Sequence, residues 1–366
     1  MRLFFDARFT RTDRHDGISR YGSCLLAAVI EQARGTDVSV TAIVCDPRQL
    51  SLLPPCEHVV LSGPMSPREP FIARDLNRLG ADVVFSTMQT MGSWGRRYRL
   101  ILTLHDLIYY DHPEPPHDLP APVRGAWRLY HRAYWPQRLM LDRADAVAAV
   151  SATTAGLIAA HRLTKRPVRV VANAAQPLAQ PPRRAPGHAA RSLVYMGAFL
   201  PYKNVEALIR ALDHLPGYTL HLASKIAPER ERALRALVPD RARVAFHRGV
   251  TDDEYHALLD SATALVTASR AEGFGLPVIE AMMRAAPVAI SDLPIFHEIA
   301  DTAAEYFDPE SPAAIAAAVR RLEDPEVWAA RSAAGPDQAR TFSWESSARG
   351  LLELAGELAA QGPVRS

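Results

Sequence analysis

Lysine is scarce in this chain. Among 366 residues it occurs only at Lys165, Lys203 and Lys225, although lysine and arginine together number 42. Arginine supplies nearly all the positive charge, which reads as a codon bias, so a lysine inside a motif carries extra weight. Long apolar runs are missing too: no stretch of about 18 apolar residues occurs, which excludes a membrane-spanning helix. There are three cysteines, Cys24, Cys45 and Cys56. Their spacing suits no metal site and their odd number leaves one unpaired, so reduced thiols and a cytoplasmic location are expected. The net charge is only +2, which argues against a nucleic-acid partner. The opening Arg2-Leu3-Phe4-Phe5 has the look of a strand and not of a signal peptide.

What remains is ordinary globular material, 48% hydrophobic and 22% charged. Since single cores stop growing at about 250–300 residues, two domains are expected. Apolar runs at 38–44, 83–86, 100–104 and 146–150 predict buried strands of a parallel sheet. Helices are expected over 17–33 and 151–162, the latter capped by Ser151. A proline-rich polar stretch from Asn173 to Gly187 predicts a linker. A second α/β series follows, with strands near 193–196, 219–223, 244–246, 264–266 and 288–290. Its helices are expected over 204–214, 228–237, 252–261, 278–284 and 311–323, with a last one over 344–360. Alternating strand and helix means an α/β fold with two doubly wound domains, whose ligands sit outside the carboxyl ends of the strands.

Residues 269–282 carry the most information. The buried strand before them leads into Glu272-Gly273-Phe274-Gly275-Leu276-Pro277, with Glu280 eight positions beyond Glu272. Pro277 suits a first helical position. The spacing predicts a strand, a tight loop and a helix start. The loop N–H groups of Phe274, Gly275 and Leu276 then face the space above the sheet, which suits a phosphate. Glu280, expected in the first helical turn, can reach the hydroxyls of a ligand whose phosphate rests on the loop. A nucleotide sugar, a diphosphate between two hydroxyl-rich rings, fits that layout. A glutamate in a first turn also serves simply to complement the helix dipole.

Three further stations follow strands. Asp16-Gly17-Ile18-Ser19-Arg20-Tyr21 opens the first long helix, where a glycine admits a close ligand or merely makes a turn. His105-Asp106 ends the strand at 100–104; the histidine can bond a sugar hydroxyl or be held by its own loop. Gly197-Ala198-Phe199-Leu200-Pro201-Tyr202-Lys203-Asn204 leaves the first strand of the second series, so Lys203 can neutralise a leaving diphosphate.

These stations, in this order, resemble glycosyltransferase family 4. The likeness covers nearly the whole chain and extends to Ala144-Asp145, Asn173, Phe246-x-x-Gly249, Asp252-Asp253-Glu254, Pro287-Val288, Phe307-Asp308-Pro309 and Phe342-Ser343-Trp344. The Glu-Gly-Phe-Gly-Leu-Pro-x-x-Glu-Ala core is its most specific part. The resemblance implies a GT-B fold, two Rossmann-like domains facing across a cleft. It places an acceptor-side domain at 1–175, a linker at 176–190, a nucleotide-sugar-binding domain at 191–343 and a C-terminal helix at 344–366 packing back on the first domain. It implies a retaining transfer with no metal and no cofactor, by front-face substitution in which the leaving phosphate takes the acceptor proton. Glu280 would hold the ribose and Glu272 the donor hexose, the amides of Phe274 to Leu276 the phosphate and sugar, and Lys203 the leaving diphosphate. Gly17 would border the donor and His105 contact its hexose, making His105, Lys203 and Glu272 the catalytic set. The look is closest to bacterial polysaccharide and glycolipid mannosyltransferases, implying GDP-mannose as donor with a UDP-hexose second, and a glycan or lipid-linked acceptor. One departure stands out. Many members carry arginine after the glycine matching Gly197, where this chain has Ala198; either another arginine, Arg248 or Arg20, supplies the charge, or Lys203 acts alone.

Residues 94–99 and 124–138 mix arginine with aromatics. Such a surface can rest peripherally on the anionic inner face of a membrane or grip a charged acceptor; it equally fits an ordinary helix with solvated arginines. A GT-B phosphorylase or epimerase, and a non-catalytic nucleotide-sugar-binding subunit, also fit these residues.

Overall fold

The computed structural model describes residues 1–114, 121–176, 178 and 190–364, so most of the expected linker lies outside the described residues. The chain divides into two units, Met1–Asn173 with Ser343–Ser366, and Ala174–Phe342.

The first unit runs β1 (Arg2–Asp6), α1 (Gly17–Ala33), β2 (Ser39–Val44), β3 (His58–Val60), α2 (Ile72–Leu79), β4 (Val83–Ser86), β5 (Arg99–Leu104), α3 (Ile108–Asp111), α4 (Ala121–Tyr130), α5 (Trp135–Leu141), β6 (Ala146–Ala149), α6 (Ala152–Ala160) and β7 (Val168–Val170). Its strands form one seven-stranded sheet in the order β3-β2-β1-β4-β5-β6-β7. Every pairing is parallel. The central strands are buried along their whole length in β4 and β6, as an apolar run covered on both faces must be.

The second unit runs β8 (Ser192–Tyr195), α7 (Val205–Ala211), β9 (Thr219–Leu222), α8 (Pro228–Arg235), β10 (Arg243–Phe246), α9 (Asp252–Ser261), β11 (Ala264–Thr267), α10 (Leu276–Met283), β12 (Val288–Ser291), α11 (Pro294–Ala300), β13 (Ala304–Phe307), α12 (Pro312–Arg321) and α13 (Pro325–Ala339). Its six-stranded sheet has the order β10-β9-β8-β11-β12-β13, again all parallel. The core beneath it is built from α7, α8 and α12 side chains with Trp328 of α13, whose indole N–H donates to Thr263 O at 3.0 Å. α13 lies close against α10 at Gly335, where an added Cβ would come within 3.1 Å of the Met282 carbonyl oxygen. That close approach fixes the helix which starts at the candidate site.

α14 (Trp344–Ala359), capped by Ser343, belongs to the first unit. Gln32 Nε2 of α1 donates to Glu345 O at 2.6 Å, Ser347 Oγ to Ala172 O at 2.8 Å, and the Trp344 ring lies 5.9 Å from that of Tyr21. The Asp252-Asp253-Glu254 motif proves to be a helix start. Thr251 and Glu254 form a reciprocal capping box at α9, and the acidic first turn complements the dipole.

Candidate functional site

In the second unit the strand order reverses between β8 and β11. Ligands of open parallel sheets bind outside the strand ends at such a reversal, and the loops leaving these two strands carry the residues that the sequence singles out. After β8, Tyr195 Oη donates to Ala198 O at 2.7 Å, folding the loop back on its own strand. A Cβ at Gly197 would sit 2.8 Å from that hydroxyl, so the position excludes a side chain. The loop ends in a single 3-10 turn, Pro201–Lys203. Asn204 follows with φ of 51°, in the left-handed region that asparagine tolerates, and its amide donates to Pro309 O at 2.7 Å.

The two loops meet through charge. Lys203 Nζ lies 2.6 Å from Glu272 Oε1, and Ser269 Oγ donates to the same oxygen at 2.7 Å. The side chains of Lys203 and Glu272 are only 15% and 12% exposed, so the pair is largely withdrawn from water. Arg270 braces the junction. Its N–H donates to Tyr202 O at 2.8 Å and its Nη1 to Pro201 O at 3.0 Å, while Glu310 holds the rest of the guanidinium at 2.5 and 2.9 Å. Sequence reading passed over Ser269 and Arg270 as site residues, because their contribution is to fix neighbours.

Gly275 turns the chain into α10 with φ of 103°, and a Cβ there would come within 2.8 Å of the Phe296 ring. Only glycine fits. The Phe274 side chain is buried edge-on against Phe342, at 5.5 Å, so this residue offers its backbone to the space above the sheet. The N–H groups of Phe274, Gly275 and Leu276 find no acceptor among the described residues. They are the orphan donors of a helix start, at its positive end. One expectation needs correcting. Leu276 is already helical, so Pro277 is the second residue of α10 and Glu280 falls in its second turn, with no acidic residue in the first.

Arg248 is not a free cation for this site. Its guanidinium holds Glu231 at 2.8 and 2.9 Å, and Arg235 holds the same carboxylate at 2.7 Å. Hydrogen bonds from Arg248 and Arg235 lower the Glu231 pKa to about 2. Arg20 lies in the first unit, on α1. Arg230, which no motif marks, sits next to the vacated arginine position: its Nε donates to Phe199 O at 3.0 Å and its Nη2 pairs with Glu206 at 2.7 Å.

Gly17 and His105 belong to the first unit. Gly17 is the first residue of α1, after Asp16, whose carboxylate caps Ser19 N at 2.9 Å. A Cβ on Gly17 would meet no atom within 4 Å among the described residues, so none of them requires glycine there. His105 Nε2 lies 2.7 Å from Thr87 O, which makes Nε2 the protonated nitrogen and leaves Nδ1 as an acceptor. Burial lowers the imidazole pKa, against the opposing pull of the Thr87 carbonyl and Asp106. Of the mixed basic segments, Arg96 and Arg99 are consumed by Asp145 at 2.6 and 2.9 Å, and Arg138 holds the carbonyls of His161 and Arg162.

Two units, each an all-parallel sheet wrapped in helices, with a paired cation and carboxylate at the reversal of the second sheet, define the GT-B glycosyltransferase class. HepE from Anabaena, solved with UDP-glucose, has this fold: TM-score 0.72 at 16% identity, covering 98% of this chain and 100% of that one. Residues 33–177 match the Glycosyltransferase Family 4 domain, and residues 183–336 the domain called Glycosyl transferases group 1. Between them these cover most of the chain, which belongs to the family-4 glycosyltransferases. Relatives include the O-antigen chain mannosyltransferase RfbU of Salmonella typhimurium, 33% identical over 35% of this chain and 37% of its own length. Another is the GDP-mannose:cellobiosyl-diphosphopolyprenol alpha-mannosyltransferase of Xanthomonas campestris, 29% identical over 55% of this chain and 58% of its own. The chain spans from 20% to 58% of the length of the curated relatives it matches.

Proposed function

We propose that the chain is a retaining hexosyltransferase that moves a sugar, mannose first and another hexose second, from a nucleotide diphosphate donor to a glycan or lipid-linked acceptor in cell-surface polysaccharide or glycolipid synthesis. The observation that carries this reading is the Lys203–Glu272 pair at the β8/β11 reversal, beside the unpaired N–H groups of Phe274, Gly275 and Leu276. An incoming diphosphate competes with Glu272 for Lys203 and takes the loop donors. Glu272 is then released toward the hexose hydroxyls, and its second oxygen already accepts no hydrogen bond among the described residues. Glu280, one turn along α10, is assigned to the ribose. Gly17 and His105 are assigned to the hexose, where Nδ1 of a neutral His105 accepts from a hydroxyl.

The chemistry asked of these groups is positioning and charge stabilisation. The bond from the anomeric carbon to the leaving phosphate breaks while the acceptor oxygen bonds the same face. The acceptor proton passes to the departing phosphate oxygen, and Lys203 with the loop amides stabilises the negative charge left behind. The relatives named mannosyltransferases support a GDP-mannose donor; HepE, solved with UDP-glucose, supports a UDP-hexose as the second choice. Action at the cytoplasmic face of a membrane belongs to the same proposal. All three cysteines are free thiols. The large exposed hydrophobics among the described residues all lie between Val60 and Val170, Met65, Phe71 and Trp94 among them, with Arg74 over the Phe71 ring at 5.0 Å.

A thermal-shift screen of GDP, UDP and their hexose conjugates tests the donor, since a ligand that binds only the folded chain raises the melting point. Transfer follows as release of nucleotide diphosphate, and NMR of the product gives its anomeric configuration. No shift with any of them, or an inverted product, would refute the reading. Sedimentation with vesicles that is indifferent to anionic lipid would refute the membrane contact.

A further inference from the structure

His105 is held at its backbone, at one ring nitrogen and along one ring edge, by residues from distant parts of the chain. Thr154 Oγ1 donates to His105 O at 3.3 Å, and Thr154 is itself fixed by the Ser151 cap of α6. Thr87 O lies 2.7 Å from Nε2. One hydrogen bond at Nε2 pins a single point of the imidazole, and the second side-chain torsion of histidine is broad, so the ring plane could still rock about that point. Tyr21 supplies the missing restraint. Its ring meets the imidazole edge-on, at 5.2 Å and 81°, a geometry that aromatic pairs favour.

Tyr21 is held in its turn. It is fully buried, its Oη donates to Val171 O at 3.2 Å, and its ring lies against that of Trp344 at 5.9 Å and 60°. Trp344 opens α14, which Gln32 and Ser347 tie to the rest of the first unit. Two enclosed rings thus stand in line with a half-buried imidazole. Tyr21 has no exposed surface and Trp344 is 8% exposed, so what they do for a ligand passes through His105.

One cost in this arrangement points beyond packing. Trp344 Nε1 is buried and finds no acceptor among the described residues. A buried donor without a partner is destabilising and uncommon, and it calls for an explanation. Phenylalanine at 344 would avoid that cost and still place a ring at the start of α14. What it would give up is the breadth of the indole, which is the surface that faces Tyr21. Tyr21 of the first glycine motif and Trp344 of Phe342-Ser343-Trp344 are motif residues to which the donor reading gives no task, and they meet here.

We infer that Tyr21 and Trp344 are positioning residues for the transfer, holding the His105 imidazole so that Nδ1 stays aimed at the donor hexose. The inference rests on the assignment of His105 to that hexose, and it ties the start of the C-terminal helix to the sugar end of the site.

The test uses full-length Trp344→Phe, Tyr21→Phe and Tyr21→Leu, with GDP-mannose and GDP as probes, or UDP-glucose and UDP where that pair shifts the parent chain. In Trp344→Phe the loss of the unsatisfied N–H offsets the lost packing, so it melts near the parent. Its affinity for the nucleotide diphosphate is unchanged, while that for the nucleotide sugar falls about fivefold, as the loss of one hydrogen bond predicts. Its kcat falls about tenfold through misplacement. Tyr21→Leu loses at least as much, and Tyr21→Phe, which keeps the ring edge, recovers most of it. Trp344→Phe combined with Tyr21→Leu is no worse than Tyr21→Leu alone, because both act through one imidazole. A nitrogen-labelled histidine NMR spectrum reads the same restraint with no donor present, the His105 signals being assigned by their loss in His105→Gln. The parent shows the Nε2-protonated tautomer alone, and Trp344→Phe and Tyr21→Leu show both tautomers. The inference is overturned if a folded Trp344→Phe binds the nucleotide sugar and turns over like the parent. It is equally overturned if that variant loses sugar and nucleotide diphosphate alike, or if the His105 signals match in parent and variants. A parent chain that binds the nucleotide sugar no better than the nucleotide diphosphate strikes the hexose assignment of His105 instead, and the spectrum still reports on the restraint.

Discussion

Lys203 and Glu272 illustrate how a pair can be both structural and functional. Each is largely buried, and each is the other's charge partner. Removing one leaves an uncompensated charge in poor solvent, a larger loss than breaking an exposed pair and a smaller one than in a sealed core. Lys203→Met and Glu272→Gln should therefore each cost about 1–3 kcal/mol in denaturant unfolding, with the double variant losing clearly less than the sum. Transfer should fall by about 10²–10³ in Lys203→Met, the scale for one lost stabilising donor. Additive stability losses with normal turnover would show that the pair does neither job. The glycines give a sharper contrast. Gly275→Ala must strain a left-handed backbone and push into Phe296, so a loss of about 1–3 kcal/mol is expected. At Gly17 a Cβ meets no atom within 4 Å among the described residues. Gly17→Ala should unfold like the parent chain and yet bind the donor more weakly, because only an incoming ligand needs that space. Unchanged donor affinity in Gly17→Ala would remove that residue from the site.

The 3-10 turn Pro201–Lys203 and the loop that carries Glu272 come from different strands and stay in register through Arg270, which grips the Pro201 and Tyr202 carbonyls. Arg270→Ala leaves every proposed ligand contact in place while unfastening the two loops. Since misplacement by about 1 Å can cost 10²-fold in rate, kcat should fall tenfold or more with only a small change in melting temperature; a wild-type kcat would mean the loops hold each other without it. How far such elements can be read from sequence follows from what forms them. α1 and α9 coincide with their apolar period and caps, Gly17–Ala33 and Asp252–Ser261, and the central strands were legible as continuous apolar runs. The edge strands β3 and β7 were not, being three residues each and half exposed. α13 was hidden by Pro336 in its interior, and α11 by its seven-residue length. The motif residues Glu272, Gly275 and Lys203 stood out because their neighbours are unusual. Arg270, Ser269 and Arg230 act by holding backbone or partner groups, and only three-dimensional packing brings those within reach. Glu280 falls in the second turn and not the first because α10 starts one residue earlier than expected, and helix starts blur where a proline tolerates either of the first two positions.

Taken together, the titrating groups make the folded chain sensitive to mild acid. His105 and His131 in the first unit, and His221 and His256 in the second, all have pKa values lowered chiefly by burial. His221 is further depressed by His247, whose Nε2 lies 3.0 Å from its Nδ1. That contact requires one ring to donate and the other to accept, so it breaks when both are protonated. The sign follows from proton counts. Above the ordinary histidine value of 6.5 both folded and unfolded chains are neutral at these sites, and stability is flat. Below it the unfolded chain takes up protons that the folded chain resists, so stability falls with falling pH until the lowered folded values are reached. Glu231 acts in a separate window. Its pKa is lowered from 4.5 to about 2, so the stability it confers is complete above the upper figure and lost between the two. The melting temperature should therefore hold steady from pH 8 to about 7, decline through pH 6 and 5, and fall further below about 4.5. His105→Gln, which cannot titrate, should flatten the first decline in part and leave the second unchanged. A melting temperature that stays level or rises between pH 7 and 5 would mean that these imidazoles titrate as they do in water, and a neutral His105 could then no longer be assigned to the hexose on electrostatic grounds.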